Sequence, residues 1–472
     1  MFNETKNLGD GSALASEPRG LAVPYGLIVL GLPIIASMIS RTAMSFVDFI
    51  MVSQLGTDAQ AAIMPAGIIL FCVIAFGMGV LSVVNTFVAQ SLGRGDKGNC
   101  AAYAWQGVYL SVFLGVLMLP GWWLATPFFQ WVGHEPQVSE MEAVYVQIGV
   151  LGVAPTLVCV ALSNFFNGVH RPVIGFWAAL IGNIFNVLAN YALIFGKWGF
   201  PAMGIAGAAW GTLISAVLQM IVLLIWFTRG WSKREYDSLH HWRVALKKMW
   251  QIVTVGFPAG VQFMMDIIVF TIFTLFLIGR FGTEQLAANN LTFKCLEVSF
   301  MPVVGMGVAL TAAVGKSIGE KRICLARIQS RWVCGMGVGY MGMIAIALIF
   351  FNEQFADLLT DDPEVIHWAS RMLIVCAIFQ VFDAVGITYS SALRGAGDTL
   401  VPAVMMVVFG GVVFMGGGFA IAHYYPGLQS IGPWSAATAY IIVLSTGFAV
   451  RFWLGHWERL NILDERVDVP LP

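Results

Sequence analysis

Residues Gly256-Phe-Pro-Ala-Gly-Val-Gln-Phe-Met-Met-Asp266, followed by Ile267-Ile-Val-Phe-Thr-Ile-Phe-Thr-Leu-Phe-Leu-Ile-Gly279, form one long apolar run interrupted by a single carboxylate. The run exceeds the roughly 20 residues that a helix needs to cross a bilayer. A charge at the centre of such a helix costs about 2.5–3.5 kcal/mol on insertion scales, so it is kept where it has a pathway, an ion or a partner. About 225 residues earlier Gly31-Leu-Pro33 opens a second long apolar run, and that one carries Asp48. Two matching acidic spans, one leading each half of the chain, organise the rest.

Composition agrees. Of the 472 residues 58% are hydrophobic and only 11% charged, against roughly 25% charged in soluble domains. This is an integral membrane protein. Twelve spans are expected near 24–52, 60–89, 100–125, 142–166, 172–196, 204–228, 249–279, 286–315, 325–351, 366–392, 399–422 and 432–454. The expected fold is all-α, with an N-terminal tail (1–23), a six-helix bundle (24–228), a linker (229–248) with a basic amphipathic helix, a second bundle (249–455) and a C-terminal tail (456–472).

Charge orients the chain, because cytoplasmic loops collect Lys and Arg. With the N-terminus inside, twenty of the 25 basic residues fall in inner segments, two (Lys197, Arg280) outside, and three (Arg41, Lys294, Arg371) within spans. Both termini are therefore expected in the cytoplasm, with the protein in a plasma membrane, for a bacterium the inner one.

The halves repeat. Gln54-Leu-Gly56-Thr matches Arg280-Phe-Gly282-Thr at an offset of 226, and Ser91-Leu-Gly93 matches Ser317-Ile-Gly319 at the same offset. Gly31 and Pro33 match Gly256 and Pro258 at 225, and Asn167-Gly168 faces Arg394-Gly395 at 227. Each half has an even number of spans, so the two enter from the same side and form a parallel repeat. Transporter sites lie near the midplane at such repeat interfaces.

Other chemistry is excluded. Gly315-Lys-Ser317 resembles the end of a phosphate-binding loop, but position 310 is Leu where that motif needs Gly. Gly335-Met-Gly337-Val-Gly339 lies inside an apolar span, where small residues let helices approach closely. The seven cysteines are scattered without ligand or redox spacing. No catalytic constellation is present, so the expectation is a monomeric non-enzyme without cofactor or nucleic-acid partner, working on small molecules in the lipid bilayer.

The ionisable residues inside spans carry the functional signal. Asp266 and Asp383 have no opposite charge three or four residues away on their own helices, so each must be met by another helix, a bound cation or a proton. Asp48 lies nearer the outer end of its span. Lys294 and Glu297 are three apart and can pair with each other. Asn183, Asn186 and Asn190 line one face of the fifth span, and Gln262 sits one turn before Asp266.

Several motifs taken together resemble the MATE (multidrug and toxic compound extrusion) transporters, most closely the bacterial NorM-type branch. They are the two Gly-x-Pro span openings, Phe46-Val-Asp48-Phe-Ile-Met-Val-Ser-Gln-Leu-Gly56, Gln90-Ser-Leu-Gly93-Arg-Gly-Asp96, Asn190-Tyr-Ala-Leu-Ile-Phe-Gly196, Met301-Pro-Val-Val-Gly305 and Ala392-Leu-Arg-Gly395-Ala-Gly-Asp398-Thr399. The resemblance covers about residues 24–455. It implies two pseudo-symmetric six-helix bundles around a cleft and antiport of organic cations and amphipathic drugs against H⁺ or Na⁺. It also implies that Asp266, Asp383 and Asp48 are coupling acids, with Na⁺ as a candidate ligand of Asp266 and Asp383. Asn190 replaces an Asp found in some members. Phe379 stands where NorM-type proteins often have Tyr, and the lost oxygen tips the expectation toward H⁺. A flippase for lipid-linked oligosaccharides or lipids, from the same superfamily, is the alternative.

Overall fold

The computed structural model describes residues 22–463; most of the two expected tails lies outside the described residues. It contains twelve helices long and apolar enough to cross a membrane. The first six are Val23–Ser53, Ala61–Gly93, Lys97–Met118, Pro136–Gly168, Pro172–Phe195 and Ile205–Thr228. The second six are Leu246–Phe281, Thr283–Gly319, Ile323–Phe350, Pro363–Ala396, Leu400–Tyr424 and Ile431–Trp453.

The largest departures from the sequence reading are at three places. The third span ends at Met118, and a separate helix, Gly121–Val132, follows. Pro120 at that break brings no N–H and cannot continue the hydrogen-bond ladder. The fourth span then starts at Pro136, where the fixed φ of proline suits a first helical turn. The last three linker residues, 246–248, already belong to the seventh-span helix, and Gly230–Tyr236 forms a separate short helix that ends at Asp237 with φ of 48°. Beyond it the chain is tied to the third span instead. Trp105 Nε1 donates to the Ser238 carbonyl at 2.7 Å and Gln106 Nε2 to that of Arg243 at 3.1 Å, while Ala245 N donates to Gln106 Oε1 at 3.0 Å.

The repeat is built into the backbone. Gly56 and Gly282 have φ of 107° and 106°, and Gly95 is matched by Lys321 at 75° and 59°. His170 and Gly397 occupy equivalent left-handed positions at 60° and 89°. The halves meet through the first span lying on the eighth and the seventh on the second. A Cβ on Gly256 would collide with the Val80 carbonyl, and one on Gly31 would collide with Met306 Sδ. These two contacts are the same contact seen in each half. Gly93 and Gly319 touch each other across the pseudo-two-fold axis, where a side chain on either would strike the partner's backbone.

The hydrogen bonds between the halves cluster at the end that carries the basic loops. Thr86 Oγ1 donates to the Arg394 carbonyl at 2.8 Å, Gln90 Nε2 to that of Gly395 at 3.1 Å, and Asn85 Nδ2 to that of Val308 at 3.2 Å. The bundles are thus fastened at one end.

The seventh span also explains why its offset changes. Residues Phe273–Ile278 form a π-helical segment, which accommodates one extra residue in an α-helix. The offset is 225 before it, at Gly31 and Gly256, and 226 after it, at Gly56 and Gly282. A second π segment, Gly410–Gly416, interrupts the eleventh span.

Candidate functional site

Span seven places Asp266 and span ten places Asp383 within electrostatic reach of each other. Both carboxyl groups are walled by protein, yet both residues keep part of their surface open. Two further groups complete the cluster, and the sequence reading missed both. Arg394, assigned above to an inner loop, is inside the tenth span and interacts with Asp266. Its guanidinium lies 5.0 Å from the centre of the Phe263 ring, one turn before Asp266. Tyr440 of the twelfth span is an electrostatic neighbour of both acids. It brings a hydroxyl to the cluster that Phe379 cannot.

Aromatic packing holds that hydroxyl. Tyr440 stacks on Phe414 with ring centres 5.3 Å apart, and Phe414 meets Phe273 at 5.0 Å. Phe273 and Phe414 belong to the two π segments, so both irregular turns lie directly behind the acidic cluster. Phe379 packs parallel to Trp434 at 6.3 Å and is buried. Gln262 is buried near the crossing of the seventh and second spans, where Gly260 meets Phe76 and Val80. Lys294 and Glu297 bond each other at 3.0 Å, with Lys294 largely exposed. Among the described residues none of these four side chains has an ion pair with either acid, and Phe379 joins the aromatic group behind them through Trp434, which meets Phe273 at 5.4 Å.

The N-terminal half is arranged differently. Asn190 Nδ2 donates to Asp48 Oδ1 at 2.7 Å and is 2.9 Å from Asn186 Oδ1. Asn186 in turn donates to Ser215 Oγ at 3.1 Å, and Asn183 donates to Ser40 Oγ at 2.8 Å. The amide stripe read from the sequence is therefore a relay binding the fifth span to the first and sixth. Asn190 Oδ1 is buried without a partner, close against Gly211.

Charge balance states what the C-terminal cluster can do. With both acids and Arg394 ionised, the group carries one net negative charge. One proton, one monovalent metal ion or one organic monocation neutralises it. Two carboxylates and a phenol make an oxygen set of the kind hard cations use. Among the described residues no group of three His, Cys, Asp or Glu side chains converges on a metal position.

A family model, MatE, matches residues 33–192 and 258–416, once in each half. The probable multidrug resistance protein NorM of Rhizobium meliloti is 28% identical over 415 residues, covering 86% of this chain and 88% of its own. The multidrug resistance protein NorM of Photobacterium profundum is 28% identical over 375 residues, covering 79% and 82%. A crystal structure of MATE in complex with MaL6 superposes with a TM-score of 0.85 at 20% identity, over 93% of this chain and 98% of that one. An outward-facing multidrug resistance MATE transporter of the MOP superfamily gives 0.83 at 19%, over 93% and 97%. With two family matches, one per six-helix half, and the shared twelve-span fold, the chain belongs to the MATE family as a NorM-like transporter.

Proposed function

We propose that this transporter exports organic cations and amphipathic drugs by antiport against an inward flow of H⁺ or Na⁺, with Asp266 and Asp383 as the shared binding site. Relatives named as multidrug resistance proteins support the substrate class. The observation that carries the mechanism is the acidic cluster with one net negative charge, whose two acids are both only half-buried. A site that a single monovalent charge neutralises cannot hold drug and coupling ion equally well at once. That competition is the requirement of antiport. A ligand shifts a two-state equilibrium only through its differential affinity for the two states, so ion entry from outside favours the state that releases drug.

With the termini cytoplasmic, as the charge bias predicts, the fastened end of the bundles faces the cytoplasm, and the cleft that the family resemblance implies opens outward. Tyr440, an electrostatic neighbour of both acids, offers the oxygen that Phe379 lacks, so Na⁺ stands beside H⁺ as the coupling ion. The test is dye efflux from proteoliposomes under an imposed pH or Na⁺ gradient. Asp266→Asn and Asp383→Asn should each abolish coupled efflux while still reaching the membrane. Wild-type rates in both variants under either gradient would overturn the assignment.

A further inference from the structure

A cavity of about 800 Å³ opens at the basic end, between the two halves and away from the acidic cluster. The N-terminal half contributes the start of the first span, the turn at His170–Ile174 and Trp231, and the C-terminal half contributes Ala313, Leu325 and Gln329. Its walls are apolar, with Val23, Leu27, Leu30 and Val173 on one side and Leu325 on the other. Its mouth is cationic. The Arg171 guanidinium stands 5.0 Å over the Trp231 ring, and no carboxylate lies within ion-pair distance of it among the described residues. Lys316 acts electrostatically on His170 beside it. Lys316 and Arg322 share one acid, Glu320, at 3.8 and 3.7 Å. The region therefore keeps an excess of positive charge.

The pseudo-symmetric crevice is filled by the protein itself. Phe87 stands where the open one has Ala313, and Tyr103 where it has Gln329, each at an offset of 226. Their rings stack at 4.7 Å, and Tyr103 donates to Gln251 Oε1 at 2.7 Å. Gly397, the counterpart of His170, is covered by Ile462. In the open crevice the equivalent wall has small or polar residues. His170 Nε2 is buried there without a hydrogen-bond partner, and an orphaned buried polar atom calls for an unseen water, ion or ligand.

We propose that this crevice binds one anionic glycerophospholipid, its phosphate on Arg171 and an acyl chain along the first span. Basic pockets between spans at a membrane surface take such headgroups, and Arg matches the phosphate oxygens with a bidentate fork. Both halves line the cavity, so the lipid stabilises the arrangement in which the crevice is open. The site is independent of the efflux reading and does not involve the coupling acids.

The test is native mass spectrometry and thermal unfolding of the purified protein with phosphatidylglycerol or phosphatidylcholine of the same chains. Wild type should retain one phosphatidylglycerol with roughly tenfold preference, about 1.4 kcal/mol, and gain thermal stability from it. Arg171→Ala should lose the preference. The double variant Ala313→Phe/Gln329→Tyr, which copies the filled crevice, should lose binding with both lipids. Arg280→Ala, at the opposite end, should behave as wild type. Inorganic phosphate should fail to compete. Equal retention of the two lipids, retention unchanged in either crevice variant, or displacement by inorganic phosphate would overturn the proposal. So would phosphatidylglycerol binding that appears only after removal of residues 2–21, because that segment would then be the occupant.

Discussion

Arg41 and Asp266 occupy the same place in the two halves. Counted from Gly31 and Gly256 they stand at the same offset of 225, before the π segment shifts the register. One half therefore puts a cation where the other puts an anion. On the first span Arg41 and Asp48 are seven residues apart, within roughly 20° on one face at about 100° per residue. The exposed apolar stripe of Ile39, Phe46 and Ile50 is on the opposite face. The N-terminal face thus carries both signs of charge, and its carboxylate is already met by Asn190. The C-terminal half carries two acids against one Arg, with a phenol backed by two π turns. A duplicated scaffold has kept its packing and diverged in charge: the N-terminal carboxylate is bonded by an amide, and the C-terminal pair is met by one Arg.

The largest expected effect tests this asymmetry directly. Asp266→Asn or Asp383→Asn should lower coupled efflux by at least ~100-fold, about 2.7 kcal/mol at 1.36 per tenfold. Asp48→Asn should lower it by less than roughly tenfold, because the Asn190 relay persists. Efflux rates in proteoliposomes decide, and the reverse ranking would move the coupling site to the N-terminal half.

Arg394→Gln should come next. It leaves two acids without their countercharge, so neutralisation takes two monovalent cations instead of one. Efflux should fall by roughly tenfold, and the ratio of ions taken up per drug exported should rise. An unchanged ratio would show that Arg394 stands outside the charge balance.

Tyr440→Phe separates the two coupling ions. If Na⁺ uses the phenol oxygen, the Na⁺ concentration for half-maximal efflux should rise several-fold, about 1 kcal/mol for one lost ligand contact. Efflux driven by a pH gradient should then be unchanged. Loss of H⁺-driven efflux alone would instead place the phenol on a proton path.

The last comparison is read in stability rather than in efflux and concerns another equivalent pair, His170 and Gly397, both left-handed. Burial, reinforced by Lys316, pushes the His170 imidazole down from 6.5 to about 4. The folded state thus holds it neutral, and its contribution is complete above pH 6.5. It is lost as pH falls through 4, to a limit of about 3 kcal/mol at 1.36 per unit. His170→Asn tolerates the same backbone and cannot titrate. Thermal unfolding of wild type and variant should diverge between pH 6.5 and 4, with wild type losing more. Parallel curves would show that the ring is free to charge in the fold.

Much of this was legible before any coordinates. A bilayer leaves no backbone polar group unsatisfied, so spanning segments must be long apolar helices, and twelve of them can be counted from composition alone. The repeat was visible because Gly31, Gly56 and Gly93 recur as Gly256, Gly282 and Gly319, at places where a Cβ or an ordinary backbone angle does not fit. Asp266 and Asp383 stood out because an ionised group inside a span is expensive. What only the tertiary structure decided was which groups meet across helices. Arg394 read as a loop cation and Tyr440 as one more aromatic residue, since neither is near an acid along its own helix. The amide stripe named a face of the fifth span without naming Asp48 as its partner. The change of offset from 225 to 226 was in the sequence, but its location in a π turn behind the acids depends on how the seventh span packs. Sequence sets the cost of each buried charge; the approach of the helices determines what neutralises it.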